Sequence, residues 1–297
     1  MKKFTFVLLA IILVFSLALV GCSSGKDTIV IGGKNFTEQD VLVYMMKDII
    51  EDKTDLKVET KPFLGGTNVV AQALERGDLD LYAEYTGTAL INLLGLEVMN
   101  DPQAVYDKVK QIYKDEKQLV WLEPFGFNNT YTLAMRRDQA ESLGIETYSD
   151  LAEKASELVL GSTQEFLERA DGYKGLQKVY NMNFKEVVGM DPGLTYAAVR
   201  DKKTDVNDAF ATDGRIAAFD LKVLKDDKQF FPPYYAAPVV RQDTLEKHPE
   251  IADALNQLAG KLSDQTMSQL NSQVDLDGKD AKDVAHDWLV SQGLIKE

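Results

Sequence analysis

From residue 28 onward the chain switches repeatedly between two hydrophobic periods. Thr28-Ile29-Val30-Ile31-Gly32-Gly33 reads as a buried strand and Leu56-Lys57-Val58-Glu59-Thr60 as a second. Between them Val41, Leu42, Met45, Met46, Ile49 and Ile50 fall on one helical face, with Thr37 and Asp40 spaced as a capping box. A helix over 68–76 turns Val69, Val70, Ala73 and Leu74 inward, and Gly77-Asp78 stops it. Leu79-Asp80-Leu81-Tyr82 then alternates as a third strand. It runs into Thr86-Gly87-Thr88, whose hydroxyls suit the start of the apolar helix 89–94. Strand–helix repeated three times predicts a parallel, right-handed sheet. Ligands of such sheets lie at the carboxyl ends of the strands, here Gly32-Gly33-Lys34, Gly65-Gly66-Thr67 and Tyr85-Thr86-Gly87-Thr88.

The pattern resumes after an irregular Pro, Gly and Asn stretch, Glu123-Pro124-Phe125-Gly126-Phe127-Asn128-Asn129. Strands are expected at 130–135, 158–161, 187–190 and 205–211, separated by helices, one starting at Ser149, one at Ser162-Thr163 and one carrying Tyr196. A second Pro-marked stretch, Pro232-Pro233-Tyr234-Tyr235-Ala236-Ala237-Pro238-Val239-Val240, suits a hinge or an edge rather than a central strand. The tail reads as three helices, 245–262, 264–274 and 281–289. The expectation is an α/β protein of two lobes, 28–129 with 236–297 and 130–235. Two crossings join them around a cleft that can close on a small molecule.

The N-terminus bears on the compartment. Met1-Lys2-Lys3 precedes an apolar run from Phe4 to Val20, and Leu19-Val20-Gly21-Cys22 follows, which reads as a lipoprotein signal over 1–21. A run of this length is at the short limit for a membrane span. Cys22 would then become the lipidated first residue, with 22–27 as a tether. It is the single cysteine in the chain, so a disulfide framework, a cysteine metal site and a catalytic thiol are not expected. A formal charge of −14 without a basic stripe argues against nucleic acid as a partner. The Gly-rich loops match neither the phosphate loop nor the dinucleotide fingerprint. No cofactor or metal is expected. The two histidines, His248 and His286, lie in the tail, away from any catalytic spacing.

Lys34-Asn35-Phe36-Thr37-Glu38-Gln39, Leu64-Gly65-Gly66-Thr67, Tyr82-Ala83-Glu84-Tyr85-Thr86-Gly87-Thr88, Gly126-Phe127-Asn128-Asn129-Thr130-Tyr131 and Tyr234-Tyr235-Ala236-Ala237-Pro238 follow one another in that order after the lipobox. Together they resemble the ProX/OpuC-type substrate-binding proteins of osmoprotectant ABC transporters, over essentially the whole mature chain. The resemblance implies a periplasmic-binding-protein-like (type II) fold. It also implies lipid anchoring on the outer face of the cell membrane, and partnership with a membrane permease and its ATPase. The ligand would be glycine betaine, carnitine or choline.

A quaternary ammonium has no N–H to donate, so it is held by desolvation and by aromatic faces. The family cage maps onto Tyr85, Tyr131, Tyr196 and Tyr235, with Tyr82 and Tyr234 as neighbouring alternates. Four rings at about 0.5–2 kcal/mol each fall at or below the roughly 8 kcal/mol that micromolar binding requires. A carboxylate clamp is therefore expected, from Thr88, Arg169, Lys34, Gln39 and Asn129. Choline-restricted members of the family carry aspartate where this chain has Thr88, which implies a site tolerant of carboxylates. The competing reading is a binding protein for another zwitterion such as an amino acid. That ligand needs an acceptor for its ammonium N–H, for which Glu84 is the candidate.

Overall fold

The computed structural model describes residues 28–297; the apolar run, the tetrapeptide ending in Cys22 and the tether lie outside the described residues. Among the described residues ten strands form two five-stranded sheets. The first contains β1 (Thr28–Gly32), β2 (Lys57–Lys61), β3 (Leu81–Tyr85) and β4 (Leu119–Trp121). The second contains β5 (Tyr131–Arg136), β6 (Val159–Thr163), β7 (Glu186–Met190), β8 (Val206–Phe210) and β9 (Leu221–Val223). The chain then returns to the first sheet as β10 (Ala236–Arg241).

The sheets repeat one plan. Their orders are β2-β1-β3-β10-β4 and β7-β6-β8-β5-β9. In each, three parallel strands come first and two antiparallel pairings complete the sheet. Each sheet is thus mixed, where the sequence pattern predicts a parallel one. The strand that changes this in the first lobe is β10, expected as a hinge or edge but placed between β3 and β4. Pro238 lies inside it, where the missing N–H should break a ladder bond. Leu122 N donates to Pro238 O at 3.0 Å. The return bond to Leu122 O has no proline donor, and the buried Tyr106 hydroxyl supplies it at 3.0 Å. A central strand therefore carries a proline without an orphaned carbonyl.

Other local expectations shift for identifiable reasons. Thr37 forms no capping box; it donates to Asp275 on a tail helix at 2.6 Å, and Phe36 stands at the cap position. Thr147, not Ser149, caps the helix Tyr148–Lys154, in a full capping box with Asp150. The expected helix 245–262 is two, Gln242–Lys247 and Glu250–Leu255, because Pro249 cannot continue the first. The helix Thr37–Lys53 buries Val41, Leu42, Met45, Met46, Ile49 and Ile50, as its periodicity predicts. The tail helices Asp264–Asp275 and Ala281–Ser291 pack against it, which ties the tail to the first lobe.

The crossings, 122–130 and 224–235, are joined to each other. Asn128 and Tyr235 form an antiparallel bridge, Asn129 N donates to Tyr234 O at 3.1 Å, and Tyr234 N donates to Asn128 Oδ1 at 2.7 Å. Among the described residues no helix is long and apolar enough to cross a membrane.

Candidate functional site

A cavity of about 190 Å³ lies between the lobes, at the carboxyl ends of the parallel strands. Five rings line it: Phe36, Tyr85, Tyr131, Phe210 and Tyr234. Equivalent strands supply two of them, since Tyr85 ends β3 and Phe210 ends β8, the third strand of each sheet's order. Tyr131 opens β5 in register with Phe210, and their centroids are 5.0 Å apart. Phe36 stacks on Phe210 across the cleft, with centroids 5.4 Å apart and planes within 3°. Tyr234 meets Tyr131 edge-on at 5.7 Å. Gly87 makes room for Tyr234, because a Cβ there would come within 2.8 Å of its ring and of Pro233 O.

The second wall is polar. Arg169 is buried and its Nε and Nη2 reach Asp171 at 2.8 and 2.5 Å. Its Nη1 donates to Glu165 at 3.0 Å and Nη2 to Thr88 Oγ1 at 3.3 Å. Within the described residues four of its five N–H groups are thus committed. The bidentate fork expected for a ligand carboxylate is spent on Asp171, and one Nη1–H remains. Thr88 accepts from Arg169, which leaves its own hydroxyl hydrogen to donate. Burial opposes the guanidinium charge, but the surroundings, Asp171 among them, more than restore it, so Arg169 is a cation here. Its Cζ lies 5.2 Å from the Tyr131 ring centroid. Lys34 is buried on the same wall, paired with Glu84 at 2.6 Å and 5.1 Å from the Tyr85 centroid.

Beneath the rings sits Glu38, fully buried. It accepts from Tyr85 OH at 2.7 Å, Asn129 Nδ2 at 2.8 Å, Thr212 Oγ1 at 2.5 Å and Asn271 Nδ2 at 3.2 Å. Burial raises its pKa, and these four donors pull against that rise. Tyr85 is likewise held well above the usual phenol range, by burial first and by the Glu38 charge next.

Of the residues singled out from sequence, Tyr85, Tyr131, Thr88, Arg169, Asn129 and Lys34 meet at the cavity. Three do not. Gln39 lies one layer back, accepting from Lys34 N at 3.2 Å and donating to Tyr85 OH at 3.1 Å. Tyr235 is displaced by its neighbour: its backbone pairs with Thr86, and Tyr234 takes the cavity position. Tyr196 belongs to the far face of the second sheet, among Ala134, Val199, Ala209 and Leu221, and accepts from Phe210 N at 2.9 Å. Phe36, Phe210 and Glu165 escaped the sequence reading. An aromatic at the carboxyl end of a second-lobe strand was the available signal for Phe210. Glu84, the acidic candidate, is turned away, bonded to Lys34 and Tyr82.

Comparison with known proteins agrees with this architecture. Residues 27–291 match the family OpuAC, the substrate binding domain of the ABC-type glycine betaine transport system. A carnitine transport binding protein of Listeria monocytogenes is 39% identical, over 97% of this chain and 96% of its own. An ergothioneine transport permease/ergothioneine binding protein of Helicobacter pylori is 39% identical over 91% of this chain, which spans 48% of that longer protein. The crystal structure of a glycine betaine/carnitine/choline ABC transporter protein superposes with a TM-score of 0.74. It is 36% identical, over 90% of this chain and 99% of that one.

Proposed function

Because this chain belongs to the OpuAC family of substrate-binding domains of ABC transporters, which bind their cargo without transforming it, we propose that its ligand is a quaternary ammonium betaine held by the aromatic wall. Glycine betaine, carnitine and choline are the candidate compounds. The observation that carries this reading is the joining of five rings and two buried cations in one cavity. The trimethylammonium group lies against Phe36, Tyr85, Tyr131, Phe210 and Tyr234, where methyl contacts and ring faces replace water. The carboxylate of glycine betaine or carnitine turns to the Thr88 hydroxyl, the remaining Arg169 N–H and Lys34. Asn129 orients Glu38 and through it Tyr85; Gln39 does the same from behind.

A second reading is favoured by Glu165, whose carboxylate also lines the cavity. Carnitine and choline offer it a single hydroxyl, and glycine betaine has no N–H or O–H hydrogen to give it. Ergothioneine, a histidine-derived betaine with ring N–H groups, does.

We assign Cys22 as the lipid attachment point, with the protein held at the outer face of the membrane beside its permease and the ATPase that drives it. Mass spectrometry of the membrane-associated protein tests this: diacylglycerol on an N-terminal Cys22 supports it, and an unmodified Cys22 overturns it. Calorimetric titration of residues 23–297 with glycine betaine, carnitine, choline, ergothioneine and a free amino acid tests the ligand. Micromolar binding of any of the first three supports the main reading. Binding of ergothioneine alone selects the second, and binding of the amino acid alone overturns both.

A further inference from the structure

Glu165 stands on the short helix Gln164–Glu168 of the second lobe and reaches across the cleft. Its Oε2 accepts from Thr67 N at 3.0 Å, at the start of the first-lobe helix Thr67–Arg76. Its Oε1 accepts from Arg169 Nη1 at 3.0 Å. That helix has no side-chain cap of its own: the cap residue is Gly66. Gly66 leaves room for the approach, since a Cβ there would lie 2.7 Å from Glu165 Oε2 and push that carboxylate aside. The carboxylate thus completes the helix start from the opposite lobe. Burial works against its charge, but Lys34, Arg169 and the Thr67 bonds hold its pKa below the usual range. It is an anion at neutral pH.

These donors, a guanidinium N–H and the N–H at a helix start, are what a ligand carboxylate would seek. Building on the ligand reading above, we propose that Glu165 is a specificity-determining residue that weights the cavity against ligands with an anionic far end. A glycine betaine carboxylate directed at Thr88 and Arg169 meets the Glu165 carboxylate on the same guanidinium. Two like charges sharing a site of restricted water repel strongly. A choline hydroxyl, or a ring N–H, has no such charge and donates to Glu165 instead. Thr88 admits carboxylates; Glu165 taxes them. The two residues, 3.0 and 3.3 Å from one guanidinium, set the preference jointly.

The test is Glu165→Gln, with Glu165→Asp beside it, in residues 23–297, titrated with glycine betaine and with choline. Gln keeps the length and one acceptor for Thr67 N but removes the charge. Asp keeps the charge. The expected result is a gain of about tenfold in glycine betaine affinity for E165Q and a loss for choline. E165D must stay nearer the wild-type ratio than E165Q does. A structural role alone lowers both affinities together, so shifts in the same direction, or none, overturn the inference while leaving the ligand reading intact. Wild-type protein that binds neither compound overturns this inference, and wild-type protein that also fails to bind carnitine removes the ligand reading with it.

Discussion

The phenol of Tyr85 donates to the carboxylate of Glu38 at 2.7 Å, and among the described residues no cation shares that carboxylate's hydrogen bonds. A buried carboxylate needs all its donors, and here they come from a cavity ring, a crossing residue, a second-lobe loop and a tail helix. Glu38 therefore registers ring position and lobe closure at one point. Tyr85→Phe keeps the ring face but removes one donor to a buried charge. The expected cost is about 1.5–3 kcal/mol of folding stability, read by urea unfolding, with a smaller loss of ligand affinity. Unchanged stability would show that Glu38 does not depend on this bond.

The neighbours Tyr234 and Tyr235 separate in function. Tyr234 is 1% exposed, lines the cavity, and donates to Asp171 Oδ2 at 2.7 Å, behind Arg169. Tyr235 contributes its backbone to the crossing. Tyr234→Ala is expected to weaken quaternary ammonium binding about tenfold or more, because a ring face and the support of the Arg169–Asp171 pair go together. Tyr235→Ala is expected to stay within about twofold. Calorimetry on both variants decides, and the reverse order would restore Tyr235 to the cage.

This pair shows where the sequence stops being readable. Lobes, crossings and the placement of the site at strand ends follow from periodicity, because the two periods are strong and the breaks carry Pro and Gly. Tyr85 and Tyr131 are legible for the same reason: each stands where a strand meets a turn. A one-residue choice within Tyr-Tyr depends on which way a crossing faces, and the hydrophobic pattern there is flat. Tyr196 fails differently. Its helix lies on the second sheet, but the ring belongs to the outer packing face, and a hydroxyl satisfied by Phe210 N leaves no trace in sequence. Phe36 and Phe210 carry no hydroxyl to set them apart from core phenylalanines in the sequence, although a ring face alone serves a cation.

Asp40 gives a pH dependence of defined sign. Burial, and next the charge of Asp280, push its pKa up to about 6, and its Oδ1 has no hydrogen-bond partner among the described residues. Burial lifts Asp208 to about 6 as well, against its bonds from Thr163. Between pH about 4 and 6 the folded chain holds these protons more tightly than the unfolded chain, so stability falls as pH rises through that window. Below it, Asp150, Asp227 and Asp243, whose pKa values are lowered, act in the opposite direction. Maximum stability is expected near pH 4 rather than 7.5. Asp40→Asn should gain about 1 kcal/mol at pH 7.5, after allowance for solvent screening of a half-exposed group, and much less at pH 4. Urea midpoints at the two pH values measure both effects. An equal gain at each pH would remove titration as the cause.

Closure itself depends on Gly214. This residue follows β8 in the second lobe and abuts the tail helix Asp264–Asp275 of the first. A Cβ on it would lie 1.7 Å from Ser272 Oγ, 2.9 Å from Ser272 Cβ and 3.0 Å from Ser268 O. The hydroxyl can rotate away, but the Cβ and the backbone oxygen cannot. Around this contact the lobes are drawn together by Asn271 Nδ2 on Thr212 O at 3.1 Å and by Arg215 facing Asp275 at 3.6 Å. The φ of Gly214 is −67°, so alanine is tolerated by the backbone and the clash arises only between lobes. Overpacking of this kind costs about 1–3 kcal/mol. For Gly214→Ala that cost should appear as a loss of roughly 5- to 150-fold in ligand affinity. Thermal stability without ligand should change little, since an opened cleft relieves the contact. Gly193→Ala is the matched control in the same lobe, because its added Cβ meets nothing within 4 Å. Loss of affinity in Gly214→Ala alone identifies the Gly214–Ser272 contact as part of the bound state. Equal affinity in both variants would mean that ligand is held with the lobes further apart.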